Sequence, residues 1–336
     1  MKRFKTTKSR YLLNIAAIIL LYFFIFILIQ TKVLNRYQSM LLIPVGINII
    51  LAVSLNLTAG FLGQLPIGHA GFMAVGAYGA ALFTKAVELP EIIEFPLGLL
   101  IGGIVAALFG VVIGLPALRL NGDYLAIITL GFGEIIRVLI LNFKFTGGAF
   151  GLQSIPKYTD YTWVFVMVMI TISSIYTTIK SRHGRAIISI RENEIAAEAS
   201  GIPVTYYKTM AFTISAFFAG VAGGLYAHYL GLLDANNFGF MKSVEILVMV
   251  VLGGMGSLLG SVVAATGLTL LPEMLRVFSE YRLIIYSLLL VIVMIFKPSG
   301  LFGQYDFSLG NTIDGACAAI RRKILKKGGD SDGADS

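Results

Sequence analysis

The chain has 336 residues, 57% of them hydrophobic and 13% charged, with 26 Lys and Arg against 18 Asp and Glu for a formal charge of +8. Together with a mean hydropathy of +0.84, this excludes a soluble domain and predicts an all-α polytopic membrane protein, because a helix satisfies its own backbone groups in hydrocarbon. The single cysteine, Cys317, rules out internal disulfides and argues against a cysteine-ligated metal. The basic residues follow membrane topology, so the net charge predicts no nucleic-acid partner.

A basic N-terminus, 1–10, carries Lys2, Arg3, Lys5, Lys8 and Arg10 ahead of an apolar run from Tyr11 to Ile29. That run is too long for a signal-peptide core and lacks a small-x-small cleavage site, so it reads as a retained first span. Further spans are predicted near 40–58, 61–84, 95–118, 124–142, 161–179, 206–230 and 281–296, with a long apolar tract at 243–271. The transmembrane domain is therefore 11–297, with a cytoplasmic loop at 181–206, and a polar tail follows at 298–336. Lys and Arg concentrate in the N-terminus, at Arg119, in 180–208 and near the C-terminus, which places these in the cytoplasm and both termini with them. The 85–94 loop, with Glu88, Glu91 and Glu94 against Lys85, falls outside. If 243–271 crossed once, Arg321, Arg322, Lys323, Lys326 and Lys327 would lie outside. Parity therefore predicts a break at Gly253-Gly254-Met255-Gly256 into two half-length segments or a re-entrant pair, for about nine to ten membrane segments.

Gly98, Gly102, Ala106, Gly110 and Gly114 set small residues four apart, the spacing of close helix packing. In 60–79, Gln64, Pro66, Gly68 and His69 interrupt an apolar span, which then either lines a substrate path or packs with a kink. Glu134 and Arg137 are the only acidic and basic pair well inside a predicted span; three apart on one face, they either serve transport or hold neighbouring helices. The 181–206 segment sets Arg182, Arg185 and Arg191 beside Glu192, Glu194 and Glu198, and predicts one water-exposed helix from Gly184 to Ser200, ended by Gly201 and Pro203. No G-x-x-x-x-G-K-[ST] occurs, Gly131-Phe132-Gly133 lacks the third glycine and strand context of a dinucleotide site, and His69, His183 and His228 have no metal-ligand spacing.

The run I-A-A-E-A-S-G at 195–201 resembles the E-A-A-x-x-x-G loop of ABC importer permeases, with Ile195 in the place of the glutamate and Glu194 one position earlier. The runs G-H-A-G-F-M-A-V-G-A-Y (68–78), G-D-Y-L-A-I-I-T-L-G-F-G-E-I-I-R (122–137), G-R-A-I-I-S-I-R-E-N-E-I-A-A-E-A-S-G-I (184–202), L-G-G-M-G-S-L-L-G-S (252–261) and K-P-S-G-L-F-G (297–303) resemble the LivM-type permease of branched-chain amino acid importers over nearly the whole chain. The resemblance implies an ABC importer permease fold in a bacterial plasma (inner) membrane, and a transport subunit rather than an enzyme. Its implied partners are a homologous second permease, two P-loop ATPase subunits that use ATP and Mg, a periplasmic or lipid-anchored substrate-binding protein, and the bilayer; no cofactor is implied on this chain. Leucine, isoleucine and valine are the implied substrates, with urea, short amides or another amino acid as the alternative in the same architecture. An ion-coupled secondary transporter, with Glu134 and Arg137 carrying a proton, is the contrasting class. By resemblance 184–202 is the coupling helix, with Arg185, Arg191, Glu192, Glu194, Ala196, Ala197 and Gly201 as its contact and geometry residues. Gln64, Pro66, Gly68, His69 and Thr129 are candidates for the translocation path, because a small zwitterion needs polar groups along an apolar route.

Overall fold

The computed structural model describes residues 35–303 except 88, 119, 121, 276–280, 298, 299 and 302, together with 22–31 except 24 and 29. The basic N-terminus, Glu88, Arg119 and the tail with Cys317 and its basic cluster lie outside the described residues. The chain divides into two units, and the larger, Tyr37–Tyr305, holds the helical bundle.

Helix α1 (Arg36–Asn56) ends in a wider turn, Leu57–Phe61, where Leu62 N donates to Leu57 O across five residues at 3.1 Å. Residues 62–68 are not helical, and α2 (His69–Ala86) starts only after them. The span expected at 61–84 is thus corrected: Pro66 has no N–H to give a helix and Gly63 adopts φ +77. There follow α3 (Glu91–Ala117), α4 (Asp123–Asn142), α5 (Tyr161–Lys180), α6 (Arg182–Glu192), α7 (Glu194–Ala199), α8 (Val204–Leu230), α9 (Phe240–Gly253), α10 (Leu258–Met274) and α11 (Arg282–Phe296). Among the described residues 6 helical stretches are long and apolar enough to cross a membrane: Arg36–Phe61, Glu91–Ala117, Asp123–Asn142, Tyr161–Lys180, Val204–Leu230 and Ala235–Gly253. Leu258–Met274 is a shorter apolar helix.

The core is built on close backbone approach. A β-carbon on Gly102 of α3 would come 2.6 Å from the Gly76 carbonyl oxygen of α2; on Gly110 or Gly114 it would come 2.7 Å from Ala216 Cβ or 2.9 Å from Phe212 of α8. The four-residue repeat of small side chains therefore faces α2 and α8, and dispersion contacts between these backbones replace the hydrophobic drive that lipid cannot supply.

The 243–271 tract is broken where the glycines predicted, at 254–257, with Gly254 at φ +111 and Gly256 at φ +89. Ser257 Oγ accepts from Gly260 N (3.1 Å) and starts α10. Asn48 of α1 bridges the two outer ends: its Oδ1 accepts from Lys242 Nζ (3.3 Å) near the start of α9, and its Nδ2 donates to Thr269 Oγ1 (2.9 Å) near the end of α10. At the turn between them, Asn56 Oδ1 accepts from Gly256 N (2.9 Å), and Asn56 Nδ2 donates to Ser257 O (2.9 Å) and Ser261 Oγ (2.8 Å). Two levels of one helix thus pin a hairpin that descends along α1 and returns. Leu301 N donates to Leu252 O (2.8 Å), so the chain after α11 comes back to the hairpin tip.

Candidate functional site

One end of the bundle gathers α6, α7, the wide turn of α1 and the hairpin tip. Ser181 Oγ caps α6 by accepting from His183 N (3.1 Å) and Gly184 N (3.3 Å), and Ala186, Ile187 and Ile190 bury its apolar face. The single helix expected over 184–200 is corrected to two. Asn193 is extended (φ −159, ψ 109), and its Oδ1 accepts from Ala196 N (3.0 Å), so its side chain starts α7 instead of continuing α6. Gly201 lies at φ +81; Gly201 N donates to Glu198 O (2.9 Å) and Ile202 N to Ala197 O (3.1 Å), the paired bonds of a left-handed helix end.

The seven expected coupling residues divide by environment. Arg185, Glu192, Ala196 and Gly201 are exposed, as is Ile195 at 80%. Ala197 is buried, and Glu194 turns inward, its two oxygens accepting from Lys208 Nζ of α8 at 2.7 and 2.8 Å. Arg191 reaches into the bundle. Its Nη1 donates to Gly60 O (2.9 Å) in the wide turn of α1, and its Nε and Nη2 hold Glu192 Oε1 (3.2 and 2.8 Å). A β-carbon on Gly63 would come 2.6 Å from Arg191 Cγ, and one on Gly256 would come 3.2 Å from Arg191 Nη1. The guanidinium therefore touches both interrupted elements at once, α1 at its end and the hairpin at its tip.

Two cavities lie along the seam between α4 and α9. The nearer to α6 and α7, about 460 Å³, is lined by Gln64, Leu65, Asp123, Asn193 and Leu247, with Arg191 at its edge. The farther, about 410 Å³, is lined by Glu134, Arg137, Asn236, Phe240, Lys242 and Glu245. Between them the non-helical stretch and the first turn of α2 are tied to the two walls: Ile67 N donates to Thr129 Oγ1 of α4 (3.0 Å) and Ala70 N to Ser243 Oγ of α9 (3.1 Å). The N-terminus of α2 thus opens inside the bundle, where its free N–H groups find side-chain acceptors.

The five expected path residues occupy this stretch and its walls. Gln64 lines the nearer cavity, and its Oε1 has no hydrogen-bond partner among the described residues. Gly68 backs onto Thr129, and both are buried with Pro66 in the constriction. His69 is 2% exposed, its Nε2 3.1 Å from Ser54 Oγ, and joins α2 to α1 away from either cavity.

Glu134 and Arg137 meet as expected, Nε to Oε2 at 2.7 Å, and the structure gives each a second task. Glu134 Oε1 accepts from Phe240 N (3.1 Å) at the positive end of α9, and Arg137 Nη1 donates to Asn236 Oδ1 (3.1 Å). They are not the only such pair: Lys242 and Glu245, 3.1 Å apart on α9, form another across the same cavity. Sequence reasoning missed them, with Asn48, Asn56 and Ser243, because Lys242 falls at a span boundary. The i,i+3 spacing they share with Glu134 and Arg137 was the available signal.

Broken helices meeting polar cavities inside an apolar bundle define a polytopic membrane protein of the transporter class. Residues 37–296 match the family described as branched-chain amino acid transport system / permease component, and the chain belongs to this family. It is 38% identical over 290 residues to the high-affinity branched-chain amino acid transport system permease proteins LivM of Salmonella typhimurium and Escherichia coli, covering 76% of this chain and 67% of each relative. It is also 27% identical over 153 residues to the permease protein LivH of Escherichia coli, covering 45% of this chain and 49% of LivH.

Proposed function

We propose that the chain is one permease subunit of an ATP-driven importer of branched-chain amino acids. It pairs with a homologous second permease in a bacterial plasma membrane, as one chain similar to both LivM and LivH suggests. Separate P-loop ATPases, using ATP and Mg, dock on the cytoplasmic end formed by α6 and α7, and a periplasmic or lipid-anchored binding protein delivers leucine, isoleucine or valine to the opposite end. Both chain termini are cytoplasmic. The observation that carries this reading is Arg191, which joins the exposed helix pair to Gly60 and lies against the hairpin tip. Movement of a docked partner would be transmitted as rigid-body motion of α6 to the two interrupted elements beside the path. Arg185, Glu192, Ile195 and Ala196 form the docking surface, Ala197 and Glu194 hold α7 in place, and Gly201 sets its end. Substrate passes along the α4–α9 seam through the constriction at Pro66, Gly68 and Thr129, with Gln64 below it.

The test is Gly201→Asp in the complete complex. A side chain at φ +81 costs about 1 kcal/mol and the site is solvent-exposed, so the variant should insert and accumulate normally. Substrate-stimulated ATP hydrolysis and uptake of labelled leucine should both fall sharply; full ATP-driven uptake would sink the assignment.

A further inference from the structure

The cavity at the start of α9 has a charge pattern of its own. Glu134 and Arg137 stand on its α4 wall and Lys242 and Glu245 on its α9 wall, so four ionised side chains sum to zero around about 410 Å³. Each wall presents one charge of each sign. Both oxygens of Glu134 accept a hydrogen bond, from Arg137 and from Phe240 N, whereas the Nη2 group of Arg137 and Oε1 of Glu245 carry no hydrogen bond from the described residues and are open to the cavity. Phe240 and Met241, 42% and 77% exposed, add apolar surface at the same cavity.

Resting on the amino-acid permease reading, we infer that this cavity is a transit site for the head group of a net-neutral α-amino acid, with Arg137 meeting the carboxylate and Glu245 the ammonium. An anion or a cation entering alone would add a net charge to a cavity on a membrane-spanning stretch, whereas a zwitterion brings both signs and leaves the sum at zero. The open Nη2 group offers a charge-assisted donor to a carboxylate oxygen, with Nε and Nη1 held by Glu134 and Asn236. The carbon side chain is left to Phe240 and Met241, which discriminate poorly among leucine, isoleucine and valine, as apolar contacts of similar size do. The site lies about 20 Å along α9 from the hairpin tip, and the constriction at Ile67 and Ala70 separates it from the nearer cavity.

The experiment uses the full importer in proteoliposomes with leucine-loaded binding protein. Glu245→Gln removes the acceptor charge, and leucine uptake should fall about tenfold or more, the loss of one charge-assisted hydrogen bond, while ATP hydrolysis stimulated by the binding protein persists. Met241→Cys, made with Cys317→Ser, touches neither ion pair. Its modification by a bulky thiol reagent should block uptake, and leucine-loaded binding protein should slow that modification when ATP is present. Wild-type uptake by Glu245→Gln, uptake that falls only in proportion to protein abundance, or undiminished uptake after modification at position 241 would each overturn the inference. A wild-type complex that hydrolyses ATP yet imports no amino acid would instead overturn the functional reading, however the variants behave.

Discussion

Lys208 Nζ lies 2.7 and 2.8 Å from the two carboxylate oxygens of Glu194, and its side chain is only 3% exposed. The contact joins α7 to the second turn of α8; it occupies the carboxylate beside the A-A-x-x-x-G run and leaves the neighbouring Ile195 exposed. Glu194→Gln should destabilise the protein by about 1 kcal/mol or more, because a neutral amide replaces the carboxylate in the charge-assisted bonds to the buried ammonium. Thermal unfolding in detergent measures this, and Lys208→Met added to Glu194→Gln should recover most of the loss. A double variant no more stable than the single one would refute a matched pair.

Arg191 offers a test of transmission separate from docking. In Arg191→Met the aliphatic stem remains against Gly63 but the bond to Gly60 O is lost. We expect normal abundance and co-purification with the ATPases, continued ATP hydrolysis, and leucine uptake reduced by about tenfold or more. Arg191→Lys should restore part of the transport. Parallel loss of ATP hydrolysis and uptake would place Arg191 in the docking surface instead.

For Glu134 and Arg137 the order of effects is diagnostic. Arg137→Gln leaves a carboxylate in the apolar bundle without its cation, and Glu134→Gln does the reverse, so each single variant should accumulate less than the double one. Membrane abundance by immunoblot reads this directly. Equal abundance in all three would show that the pair bears no structural load.

Orientation can be read by thiol labelling. With Cys317 replaced, cysteines at Glu91 and Asp234 should react with an impermeant reagent in intact cells, and one at Asn193 should react only after lysis. Reaction of Asn193→Cys in intact cells would invert the proposed topology.

Much of this fold is legible in the sequence because membrane packing writes itself in residue size and charge. The Gly98 to Gly114 repeat announces close backbones, the glycines at 253–256 and the charge parity announce a broken tract, and Gly201 announces a left-handed helix end. Hydropathy cannot tell the irregular stretch 62–68 from helix, since both are apolar and partly buried. Asn193 looks helix-compatible between two glutamates, and only its bond to Ala196 N reveals a cap. The Arg191 bond to Gly60 spans 131 residues of sequence, and no local pattern encodes a contact of that separation. Lys242 reads as a loop residue because a charge at a span boundary normally snorkels to water.

The hairpin of α9 and α10 imposes an order on biosynthesis. Its turn buries backbone groups whose partners, on Asn56, are made 200 residues earlier, and its two outer ends meet at Asn48. Nascent chain arrested before Ser257 leaves the buried Nδ2 of Asn56 without Ser257 O and Ser261 Oγ, an unpaired donor that an apolar interior penalises by several kcal/mol. The hairpin therefore seats after α1 to α8 have assembled, and a truncation between α9 and α10 should be degraded by membrane proteases even though every crossing before it is intact.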